Sequence, residues 1–159
     1  MPHILTGSGV SKNREMVKHL QSFGVIKSKK VACLSQRVHH HMLIGYNATI
    51  YAPHMHAMCL DSLENHLKPV PGCWFRNGRD IWPKFAPYDA IHVGAAAPEI
   101  PPALIEQLKP SGRLVIPVGN ILQDLQAVDK IMERSLIVQS QTSIRYVPLT
   151  SPEAQTRGC

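Results

Sequence analysis

Two short apolar runs separated by one helix constrain the fold of this 159-residue chain more than any other feature. The first run is Asp89–Ala95 and the second is Leu114–Gly119. Between them, Pro101 or Pro102 opens a predicted helix that extends through Leu108. Strand, helix and strand within about thirty residues are typical of a parallel β-α-β unit, whose strands are apolar because helices cover both faces. The sequence therefore predicts an α/β fold.

Helices are predicted before this unit. Apolar spacing predicts a helix over 11–24 that Gly24 ends, and the preceding Gly7-Ser8-Gly9 is expected to belong to a flexible terminus. A second, short helix begins at Ser28, and a third begins at Pro53 and carries methionines that are expected to pack in the core. The predicted apolar face of the first helix consists of Met16, Val17, Leu20 and Phe23.

Two further strands are predicted after the β-α-β unit, over 125–131 and 136–149, as the antiparallel edge of the same sheet. Prolines and a glycine interrupt every period in 70–87, which predicts an irregular junction. The length favours one domain. That domain, 1–159, divides into N-terminal helices with a loop (1–69), the junction (70–87) and the C-terminal half of the sheet (88–159).

Composition and charge argue against several classes of protein. The net charge of +6 is scattered, and its densest cluster, within 27–30, has no interleaved aromatic residue, so nucleic-acid binding is not expected. No stretch approaches the roughly 18 apolar residues of a membrane span, and the N-terminus lacks a signal-peptide pattern, so a cytoplasmic location is expected. The four widely spaced cysteines predict reduced thiols, and His39-His40-His41 a solvated loop, so no metal site is expected.

Five stretches of the sequence match motifs of one enzyme family, and the run Ala86–Pro98 is the most specific of them. The stretches are 16–24, Gly45–Ala57, Ala86–Pro98, Leu108–Gly119 and Arg145–Thr150. On these residues the chain resembles the protein-L-isoaspartate O-methyltransferases, especially plant members. The resemblance implies a seven-stranded Rossmann-like sheet that binds S-adenosylmethionine. It also implies methyl transfer to the free carboxyl of isoaspartyl residues in damaged proteins, which would be the partners of this chain.

The chain departs from the family pattern by lacking a segment. After the counterpart of Leu67-Lys68-Pro69, family members have a strand, a glycine-rich loop and a helix, and a later acidic residue holds the ribose hydroxyls. Here the sequence passes almost directly from Gly72 to Arg76. The early strands of the sheet are therefore predicted to be missing, and the expected fold class is a partial Rossmann-like methyltransferase sheet with N-terminal helices.

The resemblance also assigns site residues. The position of the family's active-site serine holds Tyr51, so no catalytic residue is expected to be intact. Asn77 replaces an aspartate of the family and carries no charge. For His54 and His56, simple packing at a helix start is an equal alternative to a role in the donor pocket. The positions that match the methyl-donor site are Ile50, Ala52, Pro53, His54, His56, Asn77, Gly78, Thr150 and Gln155.

The missing segment would leave one edge of the strand 89–95 unpaired, which predicts a marginally stable monomer, a dimer or aggregate through that exposed edge, or a chain that is cleared in the cell. Three hypotheses on function follow. The chain is an enzyme that keeps donor binding in an altered pocket, a non-catalytic shortened isoform, or a module that binds isoaspartyl chains without methylating them. The sequence favours a homologue of the family whose activity is lost or strongly impaired.

Overall fold

The structure is a computed structural model that describes residues 7–36, 53–67, 86–132 and 135–145. Its helices are α1 (Gly7–Ser22), α2 (Lys29–Ser35), α3 (Pro53–Leu63), which continues into a 3₁₀ turn (Glu64–His66), and α4 (Pro102–Glu106). Its strands are β1 (Tyr88–His92), β2 (Leu108–Val118), β3 (Gln123–Met132) and β4 (Ser135–Ile144). None of the helices in the described ranges is long and apolar enough to cross a membrane.

The four described strands form one mixed sheet in the order β1-β2-β3-β4. β1 and β2 are parallel and are joined through α4, whereas β3 and β4 continue the sheet antiparallel. The predicted β-α-β unit and its antiparallel extension are thereby confirmed. The first strand ends at His92, three residues before its predicted end, and β4 ends at Ile144, because Arg145 is already outside the strand. Residues 146–149 of the last predicted strand and 70–85 of the predicted junction lie outside the described residues.

The placement of Leu108 in the helix after the first strand was wrong. α4 is only five residues long, and Leu108 is the first residue of β2, where it pairs with Tyr88. Leu108 is almost completely buried in the sheet, so its apolar side chain satisfied the helical spacing and the strand equally well.

The sheet is covered on both faces, because successive residues of its central strand point to opposite sides. On one side of β2, Leu114 and Ile116 pack with Leu104 of α4. On the other side, Val115 packs with Cys59 and Leu63 of α3. The result is a layer of N-terminal helices, the sheet, and α4 on the opposite face.

The first helix begins four residues before its predicted start, since Gly7, Ser8 and Gly9 are helical and not part of an irregular terminus. Its end is as expected, because Gly24 has a φ of +70°. The amide of Val25 donates to Leu20 O at 3.0 Å, which is the long hydrogen bond of a glycine-terminated helix end.

Phe23 does not lie on the buried face that was predicted for the first helix. It follows the last helical residue, is 70% exposed, and contacts the ring of His19 edge-on at 4.6 Å. Because the helix ends at Ser22, helical geometry no longer directs the ring of Phe23 to the core. Val17, by contrast, is completely buried as predicted.

The N-terminal helices pack with α3. Ser28 begins α2 as expected, and its Oγ accepts a hydrogen bond from the amide of Val31 at 3.1 Å. Val17 and Val31 share one cluster with Ala57 of α3. The methionines of α3 contribute less than predicted, because Met58 is 37% exposed.

Candidate functional site

The carboxyl ends of the two parallel strands are the first place to look for a ligand site in an α/β sheet. β1 ends at His92, and the loop that follows is tied to the end of β2. The amide of Ala97 donates to Pro117 O at 3.0 Å, and the amide of Gly119 donates back to Ala97 O at 2.9 Å. This end of the sheet is therefore held in place by backbone hydrogen bonds.

α3 brings a second histidine to the carboxyl end of β1. His56 lies one turn inside α3 and is only 5% exposed. Its ring centroid is 5.4 Å from that of His92, with the ring planes tilted by 54°. His92 alternates with Ile91 along the strand, so it points to the face that α3 covers. The two imidazoles are the polar side chains at the contact between α3 and β1.

The protein environment keeps the His92 ring neutral. The residue as a whole is half-buried, but its Nε2 atom is enclosed by protein. Burial lowers the pKa of His92 to about 3, and the neighbouring His56 adds to this shift. At neutral pH, His92 can exchange hydrogen bonds as an uncharged imidazole, but it offers no positive charge to a ligand.

The other predicted donor-site residues are distributed unevenly over the structure. Pro53 is half-buried at the first position of α3, and His54 is exposed. The structure therefore brings His56, but not His54, to the end of the sheet. Tyr51 and the remaining donor-site positions, Ile50, Ala52, Asn77, Gly78, Thr150 and Gln155, lie outside the described residues.

Two functional features were missed by the sequence reasoning. One is the contact of His92 with His56, because the apolar spacing of 89–95 does not indicate which side chain packs against His92. The other is Arg113, which fixes α3 to the sheet. Its Nε and Nη2 donate to the carboxylate of Asp129 at 2.6 and 2.7 Å, and its Nη1 donates to Ser62 O at 3.0 Å. A charged residue directly before the apolar run Leu114–Gly119 was the available signal.

The ion pair between Arg113 and Asp129 stabilises the charged form of both side chains. The hydrogen bonds between the two side chains raise the pKa of Arg113 and lower the pKa of Asp129. Both side chains are 24% exposed, so water screens the pair only partly. Through the hydrogen bond from Arg113 to Ser62 O, the pair also ties the C-terminal end of α3 to the sheet.

The described residues do not by themselves fit S-adenosylmethionine. A sulfonium nucleotide needs an acidic or polar clamp for its ribose and a backbone cradle beside a parallel strand. The donor-site positions that the structure describes are a proline, an exposed histidine and a histidine that is enclosed against another imidazole. In the described ranges, no group of three or more His, Cys, Asp or Glu side chains could hold a metal ion.

The fold itself is that of a methyltransferase. The structure matches the crystal structure of a protein-L-isoaspartate O-methyltransferase from Plasmodium falciparum, in complex with S-adenosyl-L-homocysteine, with a TM-score of 0.71. The match covers 87% of this chain and 98% of the other, at 20% sequence identity. The mixed sheet with its flanking helices is thus a partial Rossmann-like methyltransferase fold.

The sequence comparisons identify the family. Residues 73–154 match the family model of protein-L-isoaspartate(D-aspartate) O-methyltransferase. The chain is 42% identical to protein-L-isoaspartate O-methyltransferase 1 of Arabidopsis thaliana, over 99% of this chain and 100% of that protein. It is 36% identical to the Triticum aestivum enzyme, over 92% and 94% of the two chains. This chain belongs to the protein-L-isoaspartate O-methyltransferase family, as its sequence motifs predicted.

The lengths of these alignments carry a further fact. The alignment with the Arabidopsis relative extends over 229 residues, although this chain has only 159. At least 70 positions of the alignment, the difference between 229 and 159, therefore have no counterpart in this chain. Both ends of the relative are covered, so these positions are internal to the alignment.

Proposed function

We propose that this chain is a protein-L-isoaspartate O-methyltransferase homologue in which binding of S-adenosylmethionine, and methyl transfer with it, is lost or strongly impaired. The observation that supports this most directly is the deficit of at least 70 internal positions relative to the Arabidopsis protein. The family motifs on either side of residues 70–75 support a position of this deficit at the glycine-rich loop and the acidic clamp.

The chemistry of the family reaction explains why such a loss would matter. The acceptor is a carboxylate, which is already ionised at neutral pH and needs no strong base. Holding donor and acceptor in line therefore supplies most of the rate enhancement. A chain that lacks one wall of the donor site loses this contribution, and Tyr51 would in addition occupy space where the family has a serine.

Calorimetric titration with S-adenosyl-L-homocysteine and S-adenosylmethionine tests the donor-binding part of the proposal. The complete 159-residue chain is expected to give no binding heat, whereas the Arabidopsis relative, measured in parallel, serves as the positive control. Micromolar affinity of this chain for either compound would contradict the proposal.

A methyl-transfer assay with a labelled donor tests the activity itself. The acceptor is an isoaspartyl peptide, and the same peptide with ordinary aspartate is the matched control. Transfer to the two peptides is expected to be equal within error. The variant Tyr51→Ser should remain inactive, because the donor site limits the reaction; restored transfer in this variant would mean that the tyrosine alone blocks an otherwise sound site.

The interaction partners and the location belong to the same proposal. Isoaspartyl-containing proteins are the partners that family membership supports, and the cytoplasm is the proposed compartment. Self-association through the outer edge of β1 also stands as a proposal. It is supported by the position of β1, which has β2 as its single neighbour among the described strands.

A further inference from the structure

β4 is the second outer strand of the described sheet, and it is long. It contains ten residues, Ser135–Ile144, and among the described strands it pairs only with β3. In an antiparallel strand, about half of the backbone N–H and C=O groups point away from the neighbouring strand. β4 therefore presents a row of hydrogen-bonding groups at its outer edge, and such a row is a template for another strand.

The sequence of β4 lacks the usual protection of an edge strand. Natural edges carry charges, especially lysine, or proline. β4 reads SLIVQSQTSI and contains neither. The outer edge of β1 is different, because that strand has only five residues and carries Asp89, which forms an ion pair with Lys109 at 2.8 Å. Of the two edges, that of β4 is the better template for strand pairing.

The first half of β4 is also open on both faces of the sheet. Leu136, Ile137 and Val138 are 40%, 45% and 49% exposed, although neighbouring side chains of a strand point to opposite sides. Their pairing with β3 is regular, since Ile137 lies opposite Asp129 and its two neighbours follow in register. Three consecutive large aliphatic side chains are thus held in an extended, accessible strand.

We infer that β4 pairs antiparallel with β4 of a second copy of this chain, so that the two sheets become continuous across a two-fold axis. In such a pair each strand lies opposite its own sequence read in the reverse direction, so the sequence must be compatible with itself in that arrangement. Ten residues without a charge meet this condition in every register, because no like charges come to lie opposite one another. The charged residues of the chain all lie outside β4.

The proposal is tested by sedimentation of the complete chain from low micromolar to millimolar concentration. The wild-type chain is expected to form a dimer. Replacing both Gln139 and Gln141, which are exposed near the middle of β4, by lysine should weaken the dimer at least tenfold, because the added charges meet their copies. The matched control replaces Gln21 and Gln36, two exposed glutamines of the N-terminal helical region, by lysine and should dimerise like the wild type.

A charge swap makes the test specific for self-pairing. The double variant Gln139→Glu and Gln141→Glu should also be monomeric, but an equimolar mixture with the lysine variant should form a heterodimer. A wild-type chain that stays monomeric at millimolar concentration would overturn the inference, as this would mean that the edge is covered by the chain itself. A dimer that persists in the lysine variant would overturn it as well and would direct attention to β1.

Amide hydrogen exchange of the unmodified chain provides a test that does not depend on variants. The amides of Ser135–Ile144 should exchange more slowly as the protein concentration rises, whereas those of β2 should not change. Protection that is independent of concentration would contradict the inference. Because none of these measurements involves the methyl donor, their outcome is separate from that of the proposed function.

Discussion

The pair of imidazoles between α3 and β1 makes the stability of the protein sensitive to mild acid. His92 has its pKa lowered from 6.5 to about 3 in the folded chain. Between these two values the unfolded chain binds a proton that the folded chain does not bind. The contribution to stability is therefore complete above the unfolded pKa and is lost as the pH falls from about 6.5 towards 3.

We expect the free energy of unfolding to fall between pH 6.5 and 4, by up to about 1.4 kcal/mol per pH unit from this one residue. Replacing His92 by leucine should flatten this slope, as measured by urea denaturation at several pH values. Ile91→Val, a change without a titratable group on the opposite face of β1, should leave the slope unchanged. If the slope of the His92 variant equals that of the wild type, His92 is not the titrating group.

At the scale of single residues, the sequence predicted part of the candidate site. The resemblance to the family placed His56 among the donor-site residues, and the structure brings it to the carboxyl end of β1. It did not reveal His92 as the neighbour of His56. That contact depends on how α3 lies across the sheet, and the local pattern of either segment contains no information about such a tertiary arrangement.

The connection between β2 and β3 depends on a glycine. Gly119 has a φ of +126°, and a Cβ atom added there would overlap the carbonyl oxygen of Leu122. We expect Gly119→Ala to lower the free energy of unfolding by about 2–4 kcal/mol, since it combines strain with a backbone clash. Gly24→Ala is the control, because it has the strain of a positive φ without any neighbour within 4 Å and should lose roughly 1 kcal/mol.

Arg113 offers a third prediction at this scale, since it joins β2, β3 and α3 through three hydrogen bonds. Arg113→Lys keeps the charge but not the forked geometry, and should lower the free energy of unfolding by about 1–3 kcal/mol in urea denaturation. Lys109→Ala removes the more exposed pair with Asp89 and should lose less than about 1 kcal/mol. Equal losses in the two variants would show that the fork has no special role.

The type of each element in the C-terminal half was easier to predict than its ends. The spacing and composition of 89–131 predicted two parallel strands and an antiparallel continuation, which the structure confirms. The predicted boundary between α4 and β2 was wrong, because the apolar Leu108 fits a buried position in a helix as well as in a strand. The predicted burial of Phe23 was wrong for a different reason: its spacing fits the helix, but the helix ends before it.

At the scale of the whole molecule, the sequence motifs predicted both the family and its missing segment. A chimera tests whether the remainder of the chain is still competent. The chimera carries the segment that this chain lacks, taken from the Arabidopsis relative and inserted between Gly72 and Arg76, together with Tyr51→Ser. It should regain donor binding, as measured by calorimetry. A glycine-serine insert of equal length is the control and should bind nothing. A chimera that does not bind the donor would mean that residues outside the inserted segment cause the loss of binding.

The position of α3 between two separate apolar clusters has a consequence for how the molecule opens. Leu60 packs with α1 and α2, whereas Leu63, one turn later, packs against the sheet. Among the described residues, the cluster of α1 and α2 contains no strand residue and shares only Leu67 with the cluster at the sheet, so thermal fluctuations can loosen these two helices while the sheet remains native. Limited proteolysis should therefore cleave the N-terminal third of the chain first and leave a resistant fragment that contains the sheet. We expect α3 to mark the boundary between the cleaved part and the resistant part.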